Sequence, residues 1–312
     1  MIGTLTGVTK DLGLRFNVVS LLPAGALALF VFGLLASGAP DDAPDIHRLS
    51  KRVASLDAWQ ASAAFLALIA FTLVLQPLQL SLVRLLEGYW GDSRVGRLLA
   101  APGLALARRR RRALERATKS AGGAEPSQQQ AETMVAASRR LERSFPPENE
   151  LLPTQLGNVL RAGENRAGGR YGLLTVVAWP RLYPLLPAST AGIVDDQRDQ
   201  LDLAARFCVV CLLGAAVSLG LLATHGSWLA VAAAALVLAW ISYRAAIAAA
   251  LQYAVGLETA FDLHRVELLR ALHLRLPADY DSELKTNEAL STFLLQGPSF
   301  ARLDYEYGGG GT

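Results

Sequence analysis

Four apolar runs, set as two pairs around a long polar insert, limit what this chain can fold into. They span Phe16–Ala36, Ala61–Leu80, Phe207–Thr224 and Trp228–Tyr253, and the insert between the pairs is Gly91–Gln200. A hydrocarbon core ~30 Å thick is crossed by about 20 apolar helical residues. No water reaches the backbone there, so each segment must satisfy its own N–H and C=O groups, and a helix does so. Hydrophobic residues make up 52% of the chain and charged residues 18%, and the apolar ones are gathered into these runs. The expected fold class is all-α: a polytopic membrane protein with four transmembrane helices in two hairpins and a helical cytoplasmic insert between them.

Four regions follow. Residues 1–90 form an N-terminal membrane hairpin with spans at about 16–36 and 61–82, and residues 91–200 form a mainly helical cytoplasmic insert. Residues 201–276 form a second hairpin with spans at about 205–224 and 228–250, continued by a helix outside the bilayer. Residues 277–312 are a polar tail, frayed at its Gly308–Gly311 end. The first run exceeds the about 7–15 residues of a signal-peptide core, so it is expected to be a retained helix.

Local signals refine these boundaries. Pro40-Asp41-Asp42-Ala43-Pro44 marks a loop within Ser37–Trp59, and Pro77 is expected to kink or loosen the second span. Pro102 and Pro126 open two polar stretches separated by Gly122-Gly123, as in a helical hairpin. Thr154 is placed to cap a helix over Gln155–Arg166, which Gly168-Gly169-Arg170-Tyr171-Gly172 ends. The apolar, aromatic piece Trp179–Pro184 is too short to span. The charged lead-in from Asp195 to Arg206 is expected to continue into the third span as one helix. His225-Gly226-Ser227 is a very short turn, so spans three and four are antiparallel neighbours.

Orientation follows from charge. The insert holds seventeen Lys and Arg, the Ser37–Trp59 loop three, and the His225 turn none. Basic residues favour the cytoplasmic side. Both termini are then cytoplasmic, and the Ala-, Leu- and Arg-rich composition points to a bacterial inner (plasma) membrane.

The motifs are modest. Arg108, Arg109, Arg110, Arg111 and Arg112 are a topology signal and an anionic-lipid contact, with Glu115 one turn on as a helical partner. Few aromatics interleave with them, which disfavours nucleic acid. Cys208 and Cys211 have a redox or metal spacing but sit inside an apolar span without further ligands, so they are small buried residues. His264 and His273 lie nine residues apart on one helix and complete no metal site. Arg244, the one charge well inside a span, forms with Gln76, Gln79 and Arg84 a candidate polar path near the inner mouth of the helices. A second candidate site lies in the insert at Asn158, Arg161, Arg170, Tyr171, Trp179, Arg181 and Tyr183. No phosphate loop, nucleophile elbow or paired-carboxylate motif occurs, so no catalytic residue, metal or cofactor is expected.

The pattern Leu151-Pro153-Thr154, Leu156–Arg161, Arg170-Tyr171-Gly172 and Trp179–Pro184, with Leu85–Trp90 and Ala260–Arg265, resembles a family of bacterial polytopic membrane proteins. The resemblance implies the architecture and carries no activity. The expected function is a non-enzymatic membrane effector or channel-like protein, homo-oligomeric and regulated through its insert by a cytoplasmic protein or a small-molecule signal. Small residues along the last two spans favour close helix packing. The alternatives are a membrane scaffold that recruits a cytoplasmic partner and a lipid- or envelope-modifying enzyme.

Overall fold

A computed structural model describes residues 23–91, 93–119 and 127–306, with the backbone alone described for residues 75–80. Its regular elements are helices, and no strand occurs among the described residues apart from an isolated bridge between Leu274 and Tyr305. The helices are α1 (Pro23–Ala36), α2 (Ile46–Ala54), α3 (Ala58–Glu87), α4 (Arg94–Thr118), α5 (Gln128–Ser144), α6 (Gln155–Ala167), α7 (Thr175–Leu182), α8 (Ala188–Leu222), α9 (Leu229–Ala271) and α10 (Tyr280–Gln296). The chain divides into two units: residues up to Leu86 with Asp199–Ala246, and Glu87–Arg198 with the chain from Ile247 onward.

The first unit is the apolar one. Two helical stretches, Ala188–Leu222 and Gly226–Ala271, are long and apolar enough to cross a membrane. A third is added if α2 and the start of α3, which meet at 115°, count as one broken span. Helix α1 is apolar but shorter in its described part, and residues 16–22 of the first predicted span lie outside the described residues. Within this unit α8 is the shared partner. Its Val210 packs with Ala24 and Leu27 of α1, its Leu222 with Leu34, and its Cys208 and Cys211 with Ala239 of α9 and Leu86 of α3. Both cysteines are free and buried, as expected of small packing residues. The Ser37–Trp59 segment, expected to be a loop, contains α2, capped by Asp45, whose carboxylate accepts from the His47 N–H at 2.8 Å. Helix α3 continues through Pro77 as one element.

The second unit is a polar helical assembly around one core. Helices α4 and α5 form the expected hairpin and bury Ala107 and Ala137, while Gly122, Gly123 and Pro126 lie outside the described residues. Helix α4 begins at Arg94, a full two turns before Pro102, because the Ser93 hydroxyl accepts from the Gly96 N–H at 3.0 Å and caps it. Pro102 therefore lies inside the helix. Thr154 caps α6 as expected, accepting from the Gly157 N–H at 3.1 Å. The core joins Leu173, Leu182, Val194, Leu257, Phe261, Leu268, Leu269, Leu274 and Leu290. Leu290 belongs to α10, which forms where the sequence suggested only a polar tail. Three of the four residues α10 buries (Glu283, Asn287, Ser291) are polar, so it shows no apolar stripe. Gly308–Gly311 lie outside the described residues.

Glycines set how closely α6 can pack, and Gly157 is the tighter of two, the other being Gly163 against Ala254. A Cβ on Gly157 would overlap the Glu87 carbonyl oxygen and meet the Leu152 Cδ1 at 2.9 Å. Backbone cannot yield as a flexible side chain does, so Gly157→Ala is expected to destabilise by about 1–3 kcal/mol. Gly192 on α8 has nothing within 4 Å of an added Cβ. Gly192→Ala is expected to be neutral or stabilising by up to about 1 kcal/mol, and thermal melts of both variants in detergent check the contrast.

Candidate functional site

The segment Gly168–Leu174 between α6 and α7 gathers much of the polar chemistry of the second unit. A short 3₁₀ turn, Gly169–Tyr171, ends at Gly172 with φ +76°, a left-handed conformation that suits glycine. A Cβ at Gly172 would also meet the Leu284 carbonyl oxygen of α10 at 2.7 Å. Helix α10 holds this segment by main-chain contacts. The Asn287 amide donates to the Tyr171 carbonyl at 2.8 Å, the Ser291 hydroxyl donates to the Gly172 carbonyl at 3.2 Å, and the Leu174 N–H donates to the Ser291 hydroxyl at 2.9 Å. The Tyr280 hydroxyl donates to the Arg170 carbonyl at 2.6 Å.

Helix α9 supplies the charges on the other side. Glu258 receives Arg166 at 2.8 Å and lies 3.7 Å from Arg170, while Asp262 lies 3.9 Å from Arg170 and accepts from the Tyr171 hydroxyl at 2.7 Å. Arg265 pairs with Glu283 of α10 at 2.6 Å and stacks over the Tyr171 ring, 3.9 Å from its centroid. Three guanidinium groups thus meet three carboxylates around one tyrosine. Burial, and then the hydrogen bond to Asp262, push the Tyr171 phenol above its ordinary range. The arrangement braces α6, α9 and α10 and leaves Tyr171 as an ordered but neutral group.

The remaining insert candidates separate. Asn158 is buried, and its amide is fully engaged with backbone: it accepts from the Leu152 N–H at 2.9 Å and donates to the Leu152 and Thr154 carbonyls at 2.8 and 2.7 Å. It is a staple for the turn before α6. Arg161 bridges Glu150 at 3.2 Å and Glu164 at 3.3 Å. Trp179 packs between Tyr183 and Phe261, with ring centroids 5.6 and 6.1 Å away, which places it on the core. Arg181 turns back to the Val177 carbonyl of its own helix at 2.6 Å. Of that set, Arg170 and Tyr171 share the charged cluster, and Trp179 and Tyr183 share a ring contact.

A small cleft that the sequence reading did not assemble lies within the same unit. Glu87, Tyr89, Gly157, Leu160, Glu164, Arg198, Tyr253, Ala254 and Leu257 enclose about 120 Å³. That is below the about 300–1,000 Å³ of sites for drug-sized ligands, so it suits waters or a small ion. The Arg198 guanidinium sits 5.5 Å from the centre of the Tyr253 ring, and burial followed by the Glu164 charge raises the Tyr89 phenol. Its members come from four separated stretches with no spacing signal. The Gly157-to-Glu87 approach that closes it is visible only in three dimensions.

In the first unit Arg84 and Arg244 are both exposed, on α3 and α9, and the side chains of Gln76 and Gln79 lie outside the described residues. The five arginines on α4 divide. Arg111 pairs with Glu115 at 2.9 Å as expected, and Arg112 pairs with Glu148 at 3.1 Å. Arg108, Arg109 and Arg110 make no ion pair among the described residues and are exposed. Nor do those residues contain a group of three or more His, Cys, Asp and Glu arranged to hold a metal. Comparison with known proteins finds no matching family, no similar curated protein and no similar solved structure.

Two outcomes are expected. Glu258 and Arg166 are both mostly buried, so Glu258→Ala strands a guanidinium and is expected to cost about 2 kcal/mol in chemical denaturation. Tyr183 hydrogen-bonds Asp195 through both carboxylate oxygens at 2.8–2.9 Å, and burial, then that bond, push its phenol up to about 12. A raised pKa favours the neutral form in the fold, so its stabilisation is complete below the ordinary value near 10 and is lost as pH rises through about 12. Phenolate absorbance should lose a component near pH 12 in Tyr183→Phe, and Asp195→Asn should move that component downward.

Proposed function

We propose that this protein is a non-enzymatic membrane effector, an oligomeric channel-like protein regulated through its second unit. In this reading it crosses a bacterial plasma membrane four times, and both termini are cytoplasmic. The observation that carries the reading is Arg244. It is exposed on α9 in a stretch whose apolar window is only 22% buried within the chain. A guanidinium facing hydrocarbon costs about 2.5–3.5 kcal/mol at the centre of a membrane helix on insertion scales. Neighbouring copies closing over this face would remove Arg244 from lipid and bring it beside its counterparts in the other copies. Ala230, Ala234, Val237, Ile241 and Ala245 share the exposed side of α9, and most of them are small enough for close helix approach.

A second reading is a scaffold that holds a cytoplasmic partner at the membrane. Val95, Leu98, Leu99 and Leu106 form an exposed apolar stripe on α4, near the exposed Arg108–Arg110. An amphipathic basic helix of this kind suits a partner or a bilayer surface.

Conductance across vesicles holding the full chain separates the two. The channel reading expects voltage-driven ion flux and a selectivity that shifts towards cations in Arg244→Glu. Absence of flux at every voltage, together with specific capture of a cytoplasmic protein that Arg244→Ala leaves unchanged, would favour the scaffold.

A further inference from the structure

Within the first unit, helices α1 and α3 leave an apolar groove between them. It is lined by Leu29, Phe32 and Leu35 on α1, by Phe65, Leu68 and Phe71 on α3, and at one end by Val53 and Leu56, and it encloses about 470 Å³. A contiguous hollow of about 400 Å³ shares Phe32, Leu35, Val53 and Leu56 and adds Arg52 and Ser55. The groove is therefore oily along its length and basic at one end.

Its dimensions match one leaflet. From Ala61 to Phe71 the α3 wall runs ten residues, or about 15 Å at ~1.5 Å per residue. That is half of a hydrocarbon core ~30 Å thick. The basic end lies at the start of α3, where α2 turns off at 115°. Helix α2 carries Ile46, Leu49 and Val53 on one side, buries no residue, and carries Arg48, Lys51 and Arg52 on the other. A short helix with one apolar face and one cationic face lies in the interface plane of a bilayer.

Charges around this mouth are unequal in their engagement. Three of the four acids of the segment are occupied: Asp42 pairs with Arg48 at 2.5 Å, Asp45 caps α2, and Asp57 accepts from the Gln60 N–H at 2.7 Å. Lys51 and Arg52 meet no carboxylate among the described residues. One Arg52 nitrogen donates to the Leu35 and Ala36 carbonyls at 3.2 and 3.5 Å, which caps the end of α1 and fixes the guanidinium beside the groove. Its other donors remain available to an anion.

We propose that this groove binds one anionic phospholipid, with an acyl chain along α1 and α3 and its phosphate on Lys51 and Arg52. The inference rests on the membrane placement of this unit and is independent of any channel activity. An apolar slot one leaflet deep takes an acyl chain. The helix at its end carries Arg52, which lines the contiguous hollow, and the adjacent Lys51. These two cations meet no carboxylate among the described residues and favour a negative headgroup.

The test uses the full chain in phosphatidylcholine vesicles with photoactivatable phosphatidylglycerol, its diazirine midway along one acyl chain, against the same label on phosphatidylcholine. The anionic probe is expected to label the α3 peptide containing Phe65 and Leu68 in preference to the neutral one. Lys51→Gln leaves the α1 cap intact and is expected to lower that labelling about fivefold, the effect of one basic residue near an anionic surface. Leu68→Trp fills the slot and is expected to abolish it. Equal labelling by both headgroups, or no change in Lys51→Gln, would overturn the proposal. So would disulfide-linked dimers of Ala64→Cys with no lipid label, which would make a second copy the occupant. A protein that fails to float with vesicles would instead defeat the membrane placement on which the inference rests.

Discussion

Backbone amides in hydrocarbon have no water to bond, and two helical stretches of this chain, Ala188–Leu222 and Gly226–Ala271, are long and apolar enough to meet that constraint. Helices α8 and α9 run for 35 and 43 residues, well beyond the about 11–12 of an average helix. Within the first unit, packing along them uses alanines, cysteines and single leucines. In lipid such residues would gain little from the hydrophobic effect and would rely on close van der Waals approach. The same constraint would make a polar group on such a helix conspicuous, and Arg244 is exposed on α9.

The second unit stabilises itself differently. Its core is a conventional cluster of leucines around Phe261, but its specificity comes from polar side chains that bind main chain. Asn158 closes a local turn, bonding Leu152 and Thr154, whereas Asn287 and Ser291 hold Tyr171 and Gly172, more than a hundred residues away in sequence. The Arg–Glu–Asp cluster around Tyr171 adds direction to that packing. Such networks are weak as a source of net stability and strong as a way of fixing one register of helices.

The sequence was legible where a periodic or compositional signal had a single physical cause. The apolar runs, the Thr154 cap, the helix break at Gly168–Gly172 and the Arg111–Glu115 pair could all be read that way. It was less legible where the cause lay in a distant partner. Helix α2 was hidden in a loop rich in proline and aspartate, because only nine residues carry its two faces. Helix α10 was hidden because Glu283, Asn287 and Ser291 face inward, and their reasons for doing so lie on Arg265, Tyr171 and Gly172. The cleft at Glu87 and Tyr89 depends on a glycine that resembles any other glycine in a helix until its neighbour is known.

The polar inner face of α10 also bears on the order of synthesis. The ribosome makes the other core-forming helices of the second unit first, and α10 follows them. Until it emerges, the Tyr171 and Gly172 carbonyls lack the donors that α10 gives them, and Arg265 lacks Glu283. A nascent chain stopped before Tyr280 would hold a leucine core open on one side and a guanidinium without its strongest partner. Helix α10 therefore closes a leucine core that the preceding helices of this unit leave open on one side.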